Sequence, residues 1–489
     1  MIKASSNSTL SKYELVAGLE VHVQLSTKSK IFSGDSAHFS IVPNEHVSSI
    51  SLGLPGTLPY LNQKVVEYAI RMGLATHCTI NYENYFDRKH YFYADLPKGF
   101  QTTQNGRPIC VTGYLDVKIQ ENYRRIRINR IHMEEDAGKS LHDQHPNDSL
   151  IDLNRAGVPL LEIVSEPDIR SAREAAAYLT EIRRIVRYLD ICDGNMEEGS
   201  IRCDANISVR LKGTNTFGNR CEVKNLNSIR NLQRAIDYEF NRQIQVLESG
   251  ETIAQNTLNF DTTTGITSPL RSKEMANDYR YFPEPDLQPL QLTESYINNI
   301  ATSMPELPEQ IMQRYVNHLG LSEYDALILI SEKETSQYFD TLTQFTKSFK
   351  TAANLLNGPI RSWLNEHGHS MSQFPIKPNI LADLIHLIND GLLNHTMAIQ
   401  KVFPMLLAQP DQNPKQLALE LNLLINTATD TLQVTVQEVL QRYPNQVQAY
   451  QKGKKGVLGL FMGEVMKKLE GKVDPQLARE IILQRLAIK

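Results

Sequence analysis

The sequence predicts an α+β protein: a body built on a mostly antiparallel sheet, then an all-α domain, then a small helical tail domain. Three observations predict it. The stretch IRCDANISVRL alternates strictly, with Ile201, Cys203, Ala205, Ile207, Val209 and Leu211 on one face and Arg202, Asp204, Asn206, Ser208 and Arg210 on the other. Such a clean split fits an antiparallel sheet with one covered face. After the proline cluster at Pro283, Pro285 and Pro289, the recurring patterns are helical. A second polar, proline-flanked break at Pro410 and Pro414 precedes a glycine-rich turn and an amphipathic helix. The expected boundaries give segments 1–292, 293–409 and 410–489.

Taken in order, the first strand signal is LEVHVQL, where Leu19, Val21, Val23 and Leu25 alternate with Glu20, His22 and Gln24. A helix follows Ser171, which with Glu174 forms a capping-box pattern. Its apolar positions, Ala175, Tyr178, Leu179, Ile182, Ile185, Val186 and Leu189, recur at helical spacing and stop before Gly194. The strand at 201–211 comes next, then a helix over about Asn231 to Leu247 that ends ahead of Gly250. MPELPEQIMQRYVNHLG, YDALILISEKETSQYF and ILADLIHLIND supply the helices beyond the proline cluster, and GLFMGEVMKKLEGKVDP those of the tail.

The chain has 489 residues, enough for two to four domains. Its apolar fraction of 41% and charged fraction of 22% are those of an ordinary globular protein. No run approaches the ~20 apolar residues of a membrane span, and MIKASSNSTLSKYE lacks the apolar centre of a secretory signal. The five cysteines form an odd set with no C-x-x-C pair, which argues against a disulfide framework and against an all-cysteine zinc site. A cytoplasmic protein with reduced thiols is expected. The net charge of −4 hides an asymmetry, because residues 452–489 hold nine Lys/Arg against four acids. A basic end suits phosphate contact, and a solvated helical surface would account for it equally on charge alone.

Glu20 and His22 lie two apart on a strand, so both project from one face, roughly 6–7 Å apart at Cα. Carboxylate oxygen and imidazole nitrogen are both ordinary metal ligands. IHMEEDAGKS adds His132, Glu134, Glu135, Asp136 and Lys139, and NMEEGSIRCD adds Glu197, Glu198 and Asp204 beside Arg202. Successive acids repel one another unless a cation or solvent intervenes. DRKHYFYADLPKGFQTTQ interleaves Arg88, Lys89, His90 and Lys98 with Tyr91, Phe92, Tyr93 and Phe100, a mixture suited to phosphate and base contact. Gly138-Lys139-Ser140 is not a P-loop, because Met133 stands where the first glycine is required. There is no G-x-G-x-x-G and no recognisable serine or cysteine nucleophile setting.

At these same motifs the chain resembles the B subunits of aspartyl/glutamyl-tRNA amidotransferases. GLEVHVQLSTKSKIFS, DRKHYFYADLPKGFQTTQ, IHMEEDAGKS, DLNRAGVPLLEIVSEPDIRS, MEEGSIRCDANISVR, EVKNLNS and RSKEMANDYRYFPEPDLQPL carry the likeness. The tail stretch GLFMGEVMKKLEGKVDPQL extends it over nearly the whole chain. The resemblance implies a cradle-like catalytic domain, a helical domain and a tail that contacts tRNA. It implies ATP-dependent phosphorylation of the side-chain carboxylate of Glu-tRNA(Gln) or Asp-tRNA(Asn), followed by amidation. Ammonia would come from an amidase-type A subunit, with a small C subunit completing a heterotrimer.

ATP and Mg²⁺ are the implied cofactors. Glu20, His22, Glu134 and Glu135 fall where the family binds metal and are the expected catalytic set. Asp204 is a further metal candidate, and Arg88, Lys89, His90 and Lys139 are the expected nucleotide contacts. Lys454, Lys455, Lys467, Lys468 and Lys472 are the expected tRNA contacts. Two departures stand out. Phe32-Ser33-Gly34 replaces the cysteines that bind zinc in some relatives, so no zinc is expected. Gln255-Asn256-Thr257-Leu258 replaces a Q-E-T-R element. Two other readings fit part of the pattern: a non-catalytic tRNA-binding assembly protein, and a metal-dependent nucleotide phosphohydrolase.

Overall fold

The structure is a computed structural model and describes residues 10–142, 144–272, 278–425, 429–469, 473 and 475–487. It divides into two compact units, Met1–Pro308 and Glu309–Lys489. The segments expected at 293–409 and 410–489 thus fall largely in the second unit. Residues 293–308 stay with the first because the helix Glu294–Thr302 buries Ile297 and Ile300 in its core.

The first unit is organised by a twelve-stranded sheet. Its strands include β1 (Tyr13–Gln24), β2 (Asp87–His90), β3 (Phe100–Thr103), β4 (Cys110–Ile119), β5 (Asn122–Glu135) and β6 (Pro159–Ser165). They continue with β7 (Ile201–Leu211), β8 (Cys221–Leu226), β9 (Asn256–Asp261), β10 (Ile266–Ser272) and β11 (Phe282–Pro283). The sheet runs β10-β9-β8-β7-β1-β6-β5-β3-β2-β11, with β4 pairing β5 off this path. Within it β8 and β9 pair in parallel, while β1 pairs antiparallel with both β6 and β7. The mostly antiparallel α+β reading is borne out.

Strand alternation decides which face of the sheet does what. Leu19, Val21 and Val23 of β1 and Ile201, Cys203, Ala205 and Ile207 of β7 are buried on one side. They share a core with three helices: α1 (Gln63–Ala75), α2 (Ala172–Tyr188) and α3 (Ile229–Glu248). Tyr178, Leu179, Ile182 and Val186 of α2 and Leu232, Ala235 and Ile236 of α3 supply the facing surface. The intervening residues Glu20, His22, Arg202 and Asp204 necessarily face the other way.

The capping pattern before α2 is formed only in part. The Glu174 amide donates to Ser171 Oγ at 3.2 Å, but the Glu174 carboxylate accepts from the Arg170 amide at 2.7 Å rather than from Ser171. Ser171→Ala should therefore destabilise the first unit by about 1 kcal/mol, the usual cost of losing one helix cap. Denaturant unfolding followed by circular dichroism measures this; an unchanged midpoint would show that Ser171 contributes nothing as a cap.

In the second unit no strand occurs among the described residues. The expected YDALILISEKETSQYF helix is two helices, Glu323–Leu329 and Lys333–Phe345, separated where Ile330 to Glu332 interrupt the turn. Towards the end lie α4 (Thr429–Arg442), α5 (Leu458–Lys468) and α6 (Pro475–Ala487). Leu432, Val436 and Val439 of α4 meet Phe461 and Val465 of α5 and Ala478, Ile481 and Ile482 of α6 in a separate small core. Among the described residues no helix is long and apolar enough to cross a membrane. All five cysteines are free and buried.

Candidate functional site

The polar face of the sheet opens into a cleft of about 560 Å³ in the first unit. Register explains its contents. His22 on β1 sits opposite Glu162 on β6 and opposite Arg202 on β7, and Glu162 sits opposite His132 on β5. Side chains directly across an antiparallel pair are close neighbours, so four polar groups from neighbouring strands converge.

His22 Nε2 lies 3.4 Å from Glu134 and 3.7 Å from Glu162. His132 Nε2 lies 3.0 Å from Glu162 and 3.6 Å from Glu134. One ligand atom from each of His22, Glu134 and Glu162 falls within 4.8 Å of the other two. Burial alone would push the Glu134 carboxyl up, but hydrogen bonds from His132 and His22 outweigh it and hold it well below the ordinary carboxylate range. Burial likewise pulls the His22 imidazole down, and the bond to Glu134 with the charges of Glu162 and Glu134 lifts it to about 9. One nitrogen and two anionic oxygens converging in a mostly buried cleft match the donor set of a divalent cation.

Glu20 accepts from Asn206 Nδ2 at 2.8 Å and faces Asp204 across the β1–β7 pair. Burial, followed by the charges of Glu162 and Glu222, raises its carboxyl, so added positive charge would relieve it. Asp204 is held by Lys224, which also contacts Glu222 at 3.0 Å. A bulge between β7 and β8 lets the adjacent Lys224 and Asn225 both line the cleft. Glu197 and Glu198 line it too. Thr257, in the segment that departs from Q-E-T-R, donates to Glu222 at 3.0 Å.

Other expected residues go elsewhere. Glu135 follows Glu134 on a strand and so points to the opposite face. There it accepts from the Thr102 amide at 2.8 Å and from Lys98, beside a second cavity of about 260 Å³. Arg88 faces that second cavity, bound to Glu284 at 2.8 and 2.7 Å and to Asp286 at 3.1 Å. His90 packs against Phe100 and Phe282. Lys89, between them, turns into the first cleft. Lys139 is exposed on a two-stranded hairpin that pairs Lys139–Leu141 with Leu150–Asp152. In the tail, Lys454, Lys455 and Lys467 are exposed, Lys468 pairs with Glu438, and Lys472 lies outside the described residues.

Glu162 is a site residue that the sequence motifs do not single out. A signal for it exists: Glu162 is the one charge in VPLLEIV, and period-two alternation puts it on the polar face.

Comparison with known proteins matches residues 15–298 to the GatB/GatE catalytic domain and residues 337–486 to the GatB domain. The B subunit of the aspartyl/glutamyl-tRNA(Asn/Gln) amidotransferase of Geotalea uraniireducens is 48% identical over 478 residues, covering 97% of this chain and 99% of the relative. The protein of the same description from Nitratidesulfovibrio vulgaris is 44% identical over 98% of this chain and 100% of the relative. That from Thermosynechococcus vestitus is 46% identical over 97% and 96%.

Proposed function

The chain belongs to the GatB family of amidotransferase B subunits, and we propose that it activates and amidates the side-chain carboxylate of Glu or Asp carried on tRNA. The observation that carries this reading is the convergence of His22, Glu134 and Glu162 in the polar cleft. A carboxylate is a poor electrophile. Transfer of the γ-phosphoryl group of ATP to one of its oxygens gives an acyl phosphate and ADP. Ammonia then attacks the acyl carbon and phosphate leaves, which yields the amide.

His22, Glu134 and Glu162 would hold Mg²⁺, with Glu20 adjacent. A cation held there would supply positive charge to phosphoryl transfer, in which negative charge develops on oxygen. His132 fixes the two carboxylates from behind, so their orientation is set before substrate arrives. Lys89, Arg202 and Lys224 line the same cleft and set a cationic wall for anionic substrate groups.

Nothing in the described residues suits glutamine hydrolysis by a thiol. Burial raises all five cysteines, Cys78 to about 11 and Cys192 to about 12, so thiolate is scarce at neutral pH. The likeness to amidotransferase B subunits supports ammonia supplied by an amidase-type A subunit, with a small C subunit joining the two in the cytoplasm. The test is reconstitution with those two chains, assayed separately on Glu-tRNA(Gln) and Asp-tRNA(Asn). We expect ATP- and glutamine-dependent amidation by the complex. The chain alone should use ammonia poorly and glutamine not at all, and glutamine-dependent product from it would refute the division of labour.

A further inference from the structure

At the mouth of the cleft, alternation along β2 and its extension sends Lys89 and Tyr91 to the side of His22, Glu134 and Glu162. A second strand of chain covers them. The His90 amide donates to the Tyr279 carbonyl at 2.9 Å, and Phe282 pairs with Arg88. This places Tyr279 and Tyr281 beside Tyr91. Ring centroids of Tyr91 and Tyr279 are 6.3 Å apart at 74°, and those of Tyr279 and Tyr281 are 5.9 Å apart at 68°. Lys89 Nζ stands 4.9 Å from the Tyr279 centroid and 5.8 Å from that of Tyr91.

Three features set this cluster apart from packing. Lys89 forms no ion pair among the described residues; burial opposes its ammonium form, but Glu134 first, then Tyr281, Tyr279 and Glu162, outweigh it. No hydroxyl of Tyr91, Tyr279 or Tyr281 has a hydrogen-bond partner there either. Elsewhere Tyr338 donates to the Ile376 carbonyl at 2.8 Å and Tyr315 to Asp340 at 2.9 Å, while the core Tyr178 hydroxyl is the one buried tyrosine hydroxyl without a partner among the described residues. Finally, Tyr281 keeps 39% of its surface in solvent. In an edge-to-face pair only the ring that presents its edge keeps both π-faces clear of the other ring, so a flat ligand would stack on that ring, and an unpaired ammonium beside it suits a phosphate.

We propose that Tyr91, Tyr279, Tyr281 and Lys89 form a platform that stacks an adenosine and contacts its phosphate, beside the metal-binding cleft. The inference rests on the amidation reading, in which both substrates end in adenosine: ATP, and the 3′ terminus of the aminoacyl-tRNA. Stacking on an aromatic ring is tolerant of sequence and strong enough to position a flexible single-stranded end. A platform here would bring either adenosine's reactive end towards His22, Glu134 and Glu162.

The experiment uses the assembled heterotrimer and two probes: a non-hydrolysable ATP analogue, and deacylated tRNA with or without its terminal adenosine. Tyr279→Ala should weaken binding of one probe by roughly 5- to 100-fold, the range of a lost base stack, and Tyr279→Phe should retain it. Weakened analogue binding assigns the platform to ATP. Loss of the wild-type preference for the complete 3′ end assigns it to tRNA. If Tyr279→Ala fails to assemble, Tyr281→Ala, at the exposed ring, carries the same test. Unchanged affinity for both probes, or equal loss in Tyr279→Phe, overturns the platform. Amidation by the wild-type complex is measured alongside, so a failure of the parent reading is seen separately.

Discussion

Glu162→Gln should lower ATP-dependent amidation by the assembled complex about 10³-fold, the equivalent of several kcal/mol of transition-state charge stabilisation, while leaving tRNA affinity unchanged. The substitution keeps side-chain volume and removes one of the two carboxylates of the proposed His22–Glu134–Glu162 cation site. It also exchanges the carboxylate that takes the 3.0 Å contact from His132 for a neutral amide. Raising Mg²⁺ should recover part of the activity, which a merely destabilised protein would not do. Glu134→Gln should behave in the same way. Glu135→Gln is the internal control, because that carboxylate lies on the other face of the sheet with Lys98 and the Thr102 amide. It should leave the Mg²⁺ dependence unmoved. Retention of activity within threefold by Glu162→Gln would remove the His22–Glu134–Glu162 site from the mechanism, and would favour a protein that only binds tRNA. ATP hydrolysis without aminoacyl-tRNA would favour the phosphohydrolase reading instead.

These residues also mark how far the site is legible in the sequence. Strands with one covered face print their burial as period-two alternation, so Ile201–Leu211 has the limits that its pattern predicts. β1 extends further back than LEVHVQL, over Tyr13–Gln24, because Leu15, Val16 and Ala17 are all buried and break the alternation. Glu20 and His22 are visible through that alternation. Glu134 and Glu135 group together because they are adjacent in sequence, yet adjacency on a strand is the arrangement that separates two side chains. The same rule divides Lys89 from Arg88 and His90. Glu162 does not stand out because its significance lies in register, and pairing between β1, β5 and β6 is a long-range property that no local window contains. The proline cluster is a true change of pattern, but the compact unit continues to Pro308. Ile297 and Ile300 look like any amphipathic helix in the sequence, and only packing reveals which core they join.

Removing the end of the chain should raise KM for aminoacyl-tRNA by about 10- to 100-fold at moderate salt, the scale expected when several lysine–phosphate contacts are lost, with kcat within twofold. The structure sharpens where to cut. Residues 414–425 pack with the helices before them: Leu417 and Ala418 are buried, and the Ile425 amide donates to the Leu392 carbonyl at 2.8 Å. A cut at 410 would therefore unmake part of that packing. Residues 432–486 instead close their own core around Phe461 and Val465, so a chain ending at Ile425 removes α4, α5 and α6 together. Lys454, Lys455 and Lys467 leave with it, exposed and without ion pairs among the described residues. Electrostatic contact with a polyanion weakens as salt rises because counterions are released on binding. The complete chain should thus show a KM that climbs steeply with salt, and the truncated chain a flatter dependence. Lys454→Glu with Lys455→Glu in the full-length protein should reproduce part of the effect with the small core intact. A KM and salt slope unchanged by truncation would mean that tRNA is held by the first unit and the helices before Ile425, and that the basic end is a solvated surface.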